Sequence, residues 1–394
     1  MTIAWLMPEI PYPANTGGRL TLFHRLKFMS QLGHEIHLYA ACKDLVPDDD
    51  LAVLTSMCSE VKLYDRRATK TKSAIISLFI GRPFAVQNRY FPGIDASIKE
   101  LCPDWVICEY PQMLVNLSSE TCSRNRVLLE QHNIEWETEI SLADSVGKAG
   151  LGKLAYRREG NALFRYEKTL YEKHSVDVMT FVSERDCARF PFECDARKVA
   201  IRPGGSDYFS PHDTFGHNVM FLANFSYAPN SHGALWLAKN VMPIVFGELP
   251  DVKLLLVGKE PTEEMKELAK SDNRVIVTGT VESLDEWYAK SDVVAMPIFE
   301  GGGIKMKALE AASSGRPIVA TSSALLGTNL DIDGRALVAD EAEDFAAKLI
   351  SALKRPEHYE DMSRRARDLF DRTLSWDAAN AAWYQSVFEK PVRS

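Results

Sequence analysis

The chain opens on an apolar run, Thr2–Met7, with the length and composition of a buried strand. A loop rich in Pro and Gly follows over residues 8–18. Residues 19–32 then carry Leu22, Leu26 and Met29 at helical spacing, and Gly33 is a stop signal. A second strand is expected within residues 34–42. Strand, loop, helix and strand in this order open a Rossmann-like domain. Short apolar runs at 105–108, 127–129, Val178–Phe181 and 199–201 predict further strands with helical stretches between them, and residues 155–174 read as a long charged helix.

The alternation then breaks. Arg202, Pro203, Gly204, Gly205 and Ser206 lead into a polar run that ends at His217, after which the pattern restarts. Strands are predicted at 219–222, 252–257, Val275–Val277, 292–296 and 317–321, and helices at 233–240, 263–269, 284–289 and 304–312. Such alternation implies a second parallel sheet covered on both faces. The fold class is therefore α/β with two Rossmann-like domains: residues 1–203, a linker at 204–217, and residues 218–372. A last helical segment at 373–394 follows, with Ser375 as its N-cap.

Length and composition agree with this division. A chain of 394 residues fits two domains of roughly 150–200 residues better than one core. Its 46% hydrophobic and 25% charged residues are those of a globular protein. A net charge of −8 argues against nucleic acid as partner. The seven cysteines include no C-x-x-C pair and all lie in the first half, which reads as reduced thiols and no zinc site. No secretory signal is expected before the first strand, and no run approaches the roughly 18 apolar residues of a membrane span. A cytoplasmic location is expected, with membrane contact only at the inner face.

Two glycine-rich turns carry candidate chemistry. Gly17 and Gly18 stand just before a helix, where backbone N–H groups approach an anion; for a lone pair of glycines a plain turn is the favoured reading. The stronger signal runs from Phe299 through Glu300, Gly301, Gly302, Gly303, Ile304, Lys305, Met306 and Lys307 to Glu310. A strand ends, three glycines pass, and a helix begins with Lys305 expected in its first turn. Exposed N–H groups, the helix dipole and a lysine together make a diphosphate site. Glu310, farther along, is placed to accept hydrogen bonds from vicinal hydroxyls; the competing reading is a solvated surface helix. No Asp-x-Asp is present, so no metal is needed to explain charge stabilisation. Arg66, Arg67, Lys70, Lys72, Arg82 and Arg89 fall in a stretch without acids around the apolar run 74–80. This suits an anionic membrane surface or a lipid-phosphate acceptor, and equally a solvated basic helix beside an acidic neighbour.

The glycine–lysine segment, continued by Gly315, Arg316, Pro317, Ile318, Val319, Ala320 and Thr321, resembles the donor-site motif of the GT-B glycosyltransferases. It is most similar to family four of the retaining enzymes and its bacterial polysaccharide members. Residues 221–237, 257–258, 277–281 and 289–294 agree, as do 11–19 and 128–135, so the likeness spans nearly the whole chain and is loosest from 44 to 101. It implies two domains facing across a cleft, a C-terminal helix crossing back to the first domain, and hexosyl transfer from a nucleotide diphosphate sugar to a hydroxyl acceptor. That acceptor is a glycan, a lipid-linked sugar or a protein, and no cofactor or metal is implied. By resemblance Glu310 holds the donor ribose, and Lys305 and Lys307 meet the diphosphate. Gly17 and Gly18 approach the phosphate or sugar, Thr280 and Val281 meet the base, and His132 serves transfer.

Two departures stand out. Many family members carry two glutamates eight positions apart, whereas Gly302 stands eight before Glu310 and Glu300 ten before; Glu300 is the candidate substitute from the loop, beside Gly301, Gly302, Gly303 and Ile304. Many members also carry Arg and Lys where this chain has Asn224, Phe225, Ser226 and Tyr227, with Asn224 as the donor-side residue. Three other readings stay open at this level. One is a nucleotide-sugar epimerase on the same architecture. A second is a non-catalytic homologue acting as a binding or adaptor subunit. The third is a dinucleotide oxidoreductase, for which no G-x-G-x-x-G follows the first strand.

Overall fold

The computed structural model describes residues 1–42, 45–65, 77, 81–145, 151–209, 217–300 and 304–390. The chain divides into two compact units. The first is Met1–Arg202 with Asn380–Ser394, and the second is Pro203–Ala379. Gly204 and Gly205, assigned to the linker from sequence, belong to the second unit, where the Gly205 N–H donates to the Leu374 carbonyl at 2.7 Å. Asp207 is held there too, by the Arg367 guanidinium at 2.5 and 2.8 Å.

The first unit is built on a sheet of seven strands: β1 (Thr2–Met7), β2 (Glu35–Cys42), β3 (Glu60–Asp65), β4 (Trp105–Glu109), β5 (Arg126–Gln131), β6 (Val178–Phe181) and β7 (Arg197–Ala200). Their order is β3-β2-β1-β4-β5-β6-β7, with every pairing parallel. Residues 3–7 of β1 are 0% exposed, as a central strand covered on both faces requires. Helix Gly17–Gln31 buries Leu22, Leu26 and Met29 on one face, the periodicity the sequence shows. It begins at Gly17 rather than residue 19, because Thr16 is its N-cap and accepts from the Arg19 N–H at 3.4 Å.

The C-terminal segment completes this unit. Helix Trp376–Tyr384 continues into a final turn, Gln385–Glu389, and the boundary between units falls within the helix. Ser375 accepts from the Ala378 N–H at 3.3 Å, so it caps the helix as read from sequence. Beyond the boundary, Asn380 donates to the His24 carbonyl at 3.2 Å, and Arg197 donates to the Ser386 and Val387 carbonyls at 2.6 and 3.1 Å. Trp383 is 0% exposed and stacks on Trp5 with ring centroids 6.2 Å apart.

The second unit has six strands: β8 (Asn218–Leu222), β9 (Lys253–Val257), β10 (Val275–Val277), β11 (Val293–Met296), β12 (Ile318–Ala320) and β13 (Leu337–Val338). Their order is β10-β9-β8-β11-β12-β13, again parallel throughout. Two glycines let the chain close tightly at the carboxyl edge of this sheet. Gly258 follows β9 with φ +136°, and a Cβ there would stand 1.8 Å from the Ala223 carbonyl oxygen. Gly233 lies in helix Ala228–Trp236, and a Cβ there would stand 1.9 Å from the Pro297 carbonyl oxygen. Among the described residues no helix is long and apolar enough to cross a membrane.

Candidate functional site

In an open parallel sheet, ligands bind beyond the carboxyl ends of the strands. At that edge of the second unit, helix Met306–Ser313 follows β11. Lys305 is its N-cap, with extended backbone at φ −88° and ψ 108°. The sequence placed Lys305 inside the first turn and began the helix at residue 304. The structure corrects both by two residues, leaving Ile304 before the helix, packed against the core. The Met306 and Lys307 N–H groups therefore open the helix directly after Lys305. Burial holds the Lys305 ammonium below its usual range.

Lys307 is the more enclosed of the two lysines. Its Nζ donates to Asn230 Oδ1 at 2.7 Å and lies over the Phe221 ring, 5.6 Å from its centroid. Asn230 in turn donates to the Asn224 carbonyl at 2.7 Å. The Asn224 side chain accepts from the Ser226 N–H at 3.2 Å and hydroxyl at 2.9 Å, a turn closed within its own loop. Burial pushes Lys307 down to about 8, opposed by the Glu310 charge and reinforced by Lys305. Glu310, one turn on, is pushed up by burial to about 7, against the pull of Lys307. Among the described residues the Glu310 carboxylate takes no hydrogen bond from a side chain or backbone N–H. It stands near two stacked phenols, Tyr208 and Tyr288, whose centroids are 4.9 Å apart; burial first, then the Glu310 charge, raises Tyr208 to about 12.

The other donor-side candidates are placed as follows. Thr280 is exposed and Val281 is partly buried in the loop after β10, where Gly279 bridges to Gly258 at the end of β9. Glu300 is exposed beyond β11, while Gly301, Gly302 and Gly303 lie outside the described residues. The structure thus links Asn224, Asn230, Lys307 and Glu310 and sets Lys305 at the helix start. Asn230 was quoted from the sequence only as part of a matching stretch. An amide in the first turn of a helix, facing a lysine on another element, leaves no pattern in the chain.

In the first unit, His132 directly follows β5, at the carboxyl edge. Its Nε2 lies 2.6 Å from Glu109 Oε2, and the Tyr110 ring packs over the imidazole with centroids 4.5 Å apart. The Glu109 carboxylate is 0% exposed and also accepts from Trp5 Nε1 at 2.8 Å. The Tyr110 hydroxyl lies 3.9 Å from where a Cβ on Gly18 would stand, so the start of helix Gly17–Gln31 and His132 share one corner of the unit. Gly17 and Gly18 are both exposed there, their N–H groups in the open first turn. Sequence reading missed Glu109 and Tyr110; the one visible sign was a carboxylate closing an otherwise apolar strand. Arg66, Arg67, Lys70 and Lys72 lie outside the described residues, and Arg82 donates to Gln87 at 3.2 Å.

Residues 216–355 match the family described as Glycosyl transferases group 1. The chain is 26% identical over 362 residues to an uncharacterized 44.6 kDa protein in the cps region of Klebsiella pneumoniae, covering 88% of this chain and 89% of that one. Among solved structures it superposes on TarM with a TM-score of 0.68 at 11% identity, covering 98% of each chain. It superposes on Anabaena HepE, solved in complex with UDP, with a TM-score of 0.64 at 14% identity, covering 99% of this chain and all of that one.

Proposed function

We infer, for a chain that is a glycosyltransferase of the GT-B fold carrying a group 1 glycosyltransferase domain, that it moves a hexosyl group from a nucleotide diphosphate sugar to a hydroxyl acceptor, with retention and without a metal. The observation that carries this reading is the arrangement on helix Met306–Ser313: two partly desolvated lysines at its start and an unengaged carboxylate one turn on. Lysines and helix N–H groups suit the diphosphate, whose charge grows as it departs. The Glu310 carboxylate suits the ribose hydroxyls. Thr280 and Val281 serve the base, Asn224, Glu300, Gly301, Gly302, Gly303 and Ile304 line the donor, and Gly17, Gly18 and His132 act in transfer from the first unit. The UDP bound by HepE fits such a donor, and the cps-region relative fits glycan synthesis.

The ionisation of Glu310 and Lys307 makes donor binding depend on pH. Glu310 is ionised above about 7 and Lys307 protonated below about 8. Hydroxyl bonding is lost as pH falls through the first value, and diphosphate attraction as pH rises through the second. A nucleotide sugar is a diphosphate diester with no titration of its own near neutrality. Calorimetry with UDP-, GDP- and ADP-sugars in chelator is expected to show tightest binding between about pH 7 and 8, falling on both sides. Glu310→Gln is expected to flatten the acid limb. Binding that needs added Mg²⁺ or Mn²⁺ sinks the metal-free reading, and a flat pH profile sinks the assigned roles of Glu310 and Lys307.

The acceptor is proposed to be met at an anionic membrane surface through the basic stretch that includes Arg66, Arg67, Lys70 and Lys72. Flotation with anionic vesicles is expected to recover more protein than with neutral ones, and replacing the four by Ser to abolish the difference. Equal recovery on both vesicles removes the idea.

A further inference from the structure

We propose that Glu109 is a positioning residue for the transfer step: it fixes His132 as the Nε2–H tautomer and so leaves Nδ1 as a hydrogen-bond acceptor for a substrate hydroxyl. The inference rests on the assignment of His132 to transfer and deepens it.

The geometry leaves few alternatives. Glu109 closes β4 with its carboxylate 0% exposed and, among the described residues, makes no ion pair with Lys or Arg. Its hydrogen bonds among the described residues are Trp5 Nε1 on Oε1 at 2.8 Å and His132 Nε2 on Oε2 at 2.6 Å. An indole nitrogen only donates, so Oε1 is committed as an acceptor. Trp5 is 0% exposed and stacked on Trp383, which keeps that donor in place. An ionised carboxylate only accepts, so the proton in the second contact sits on Nε2. The imidazole, 10% exposed and covered by the Tyr110 ring, makes no other hydrogen bond among the described residues, which leaves Nδ1 for a ligand.

A carboxylate without a lysine or arginine partner is a costly way to tie two strands together, because burial penalises its charge. A neutral amide would tie Trp5 to His132 with the same shape. The one thing the amide cannot do is accept from both. With its oxygen taken by Trp5, a glutamine turns its NH₂ to Nε2, which must then accept, and the imidazole proton moves to Nδ1. Glu109→Gln therefore reverses the tautomer while keeping shape. In the serine-protease triad the equivalent change from acid to amide costs about 10⁴ in turnover by this route.

The test is nitrogen NMR of the full-length protein labelled at histidine, with steady-state kinetics on a nucleotide sugar and acceptor extract. Wild type is expected to show His132 as Nε2–H, and Glu109→Gln as Nδ1–H. The Gln variant is expected to lose about a hundredfold or more in kcat, with donor KM within about twofold. Glu109→Asp, which keeps the carboxylate, is expected to keep the tautomer and recover part of the rate. An Nδ1–H tautomer in wild type overturns the proposal, and that result stands even if the Gln variant does not fold. Wild-type kcat in a folded Gln variant overturns it too. His132→Ala separates this failure from that of the parent reading: undiminished turnover there removes His132 from transfer, whatever its tautomer.

Discussion

Lys305→Ala is expected to lower turnover by about a hundredfold or more, with stability changed by about 1 kcal/mol or less. Lys305 stands at the mouth of helix Met306–Ser313, beside its first N–H groups, and burial already disfavours its charge in the free protein. A group held partly desolvated gains most when an anion forms next to it, which for a diphosphate leaving group is the transition state. Loss of Lys305 therefore falls on kcat more than on donor affinity. Lys307 is expected to behave differently, because it also holds Asn230 at 2.7 Å. Its removal leaves a partly buried amide oxygen unpaired, at a cost of about 1–3 kcal/mol, and loosens the Asn224 loop, so donor affinity and stability fall together. Steady-state kinetics and thermal melts on the two variants separate these outcomes. Equal effects of both changes on kcat and on melting would show that the two lysines are not divided in this way.

Glu130→Gln is expected to destabilise the first unit by about 3–5 kcal/mol. The carboxylate lies within β5, 2% exposed, where a sheet position would ordinarily be apolar. It accepts from Arg25 Nη1 at 2.5 Å, from the Thr180 hydroxyl, and from Trp383 Nε1 at 2.5 Å. One charged centre thereby joins helix Gly17–Gln31, β6 and the C-terminal segment. Both members of the Arg25–Glu130 pair are nearly inaccessible, with side chains 5% and 3% exposed. Neutralising the acid strands the guanidinium without its counter-charge. The paired change Arg25→Met with Glu130→Leu is expected to recover part of the loss, because the desolvated charges leave together while the Trp383 N–H and the Thr180 hydroxyl lose their acceptor. Denaturant titrations of the three proteins decide it, and a Glu130→Gln variant within about 0.5 kcal/mol of wild type contradicts the role assigned to the carboxylate.

Glu130 and Glu109 leave no pattern in the sequence, whereas much of the sheet does. Thr2–Met7, Val178–Phe181 and Val275–Val277 were legible to the residue, because short apolar runs between polar flanks are what buried parallel strands look like. β3, Glu60–Asp65, was missed: an edge strand whose residues are only partly buried mixes charged and apolar positions and shows no such run. β13 has two residues and gives no signal. Helix Ala228–Trp236 starts five residues before the sequence boundary at 233, since its polar opening turn tolerates Pro229 and hides the apolar period. The glycine–lysine–glutamate segment stood out because its chemistry is local to one turn and one helix. Glu109 and Glu130 did not, because Trp5 lies 104 residues from the first and Trp383 lies 253 from the second, and only the folded chain brings them together.

Sugar transfer that uses Lys305 and His132 is measured as nucleotide release from a nucleotide sugar, in chelator, with and without an extract shown to contain acceptor. Wild type is expected to release nucleotide only when acceptor is present, and Lys305→Ala and His132→Ala to release about a hundredfold less or lower. A non-catalytic adaptor instead gives no release from wild type and intact partner binding in both variants. An epimerase converts the donor sugar with no acceptor at all. No acceptor-dependent release from wild type, or release from both variants equal to that of wild type, contradicts the account.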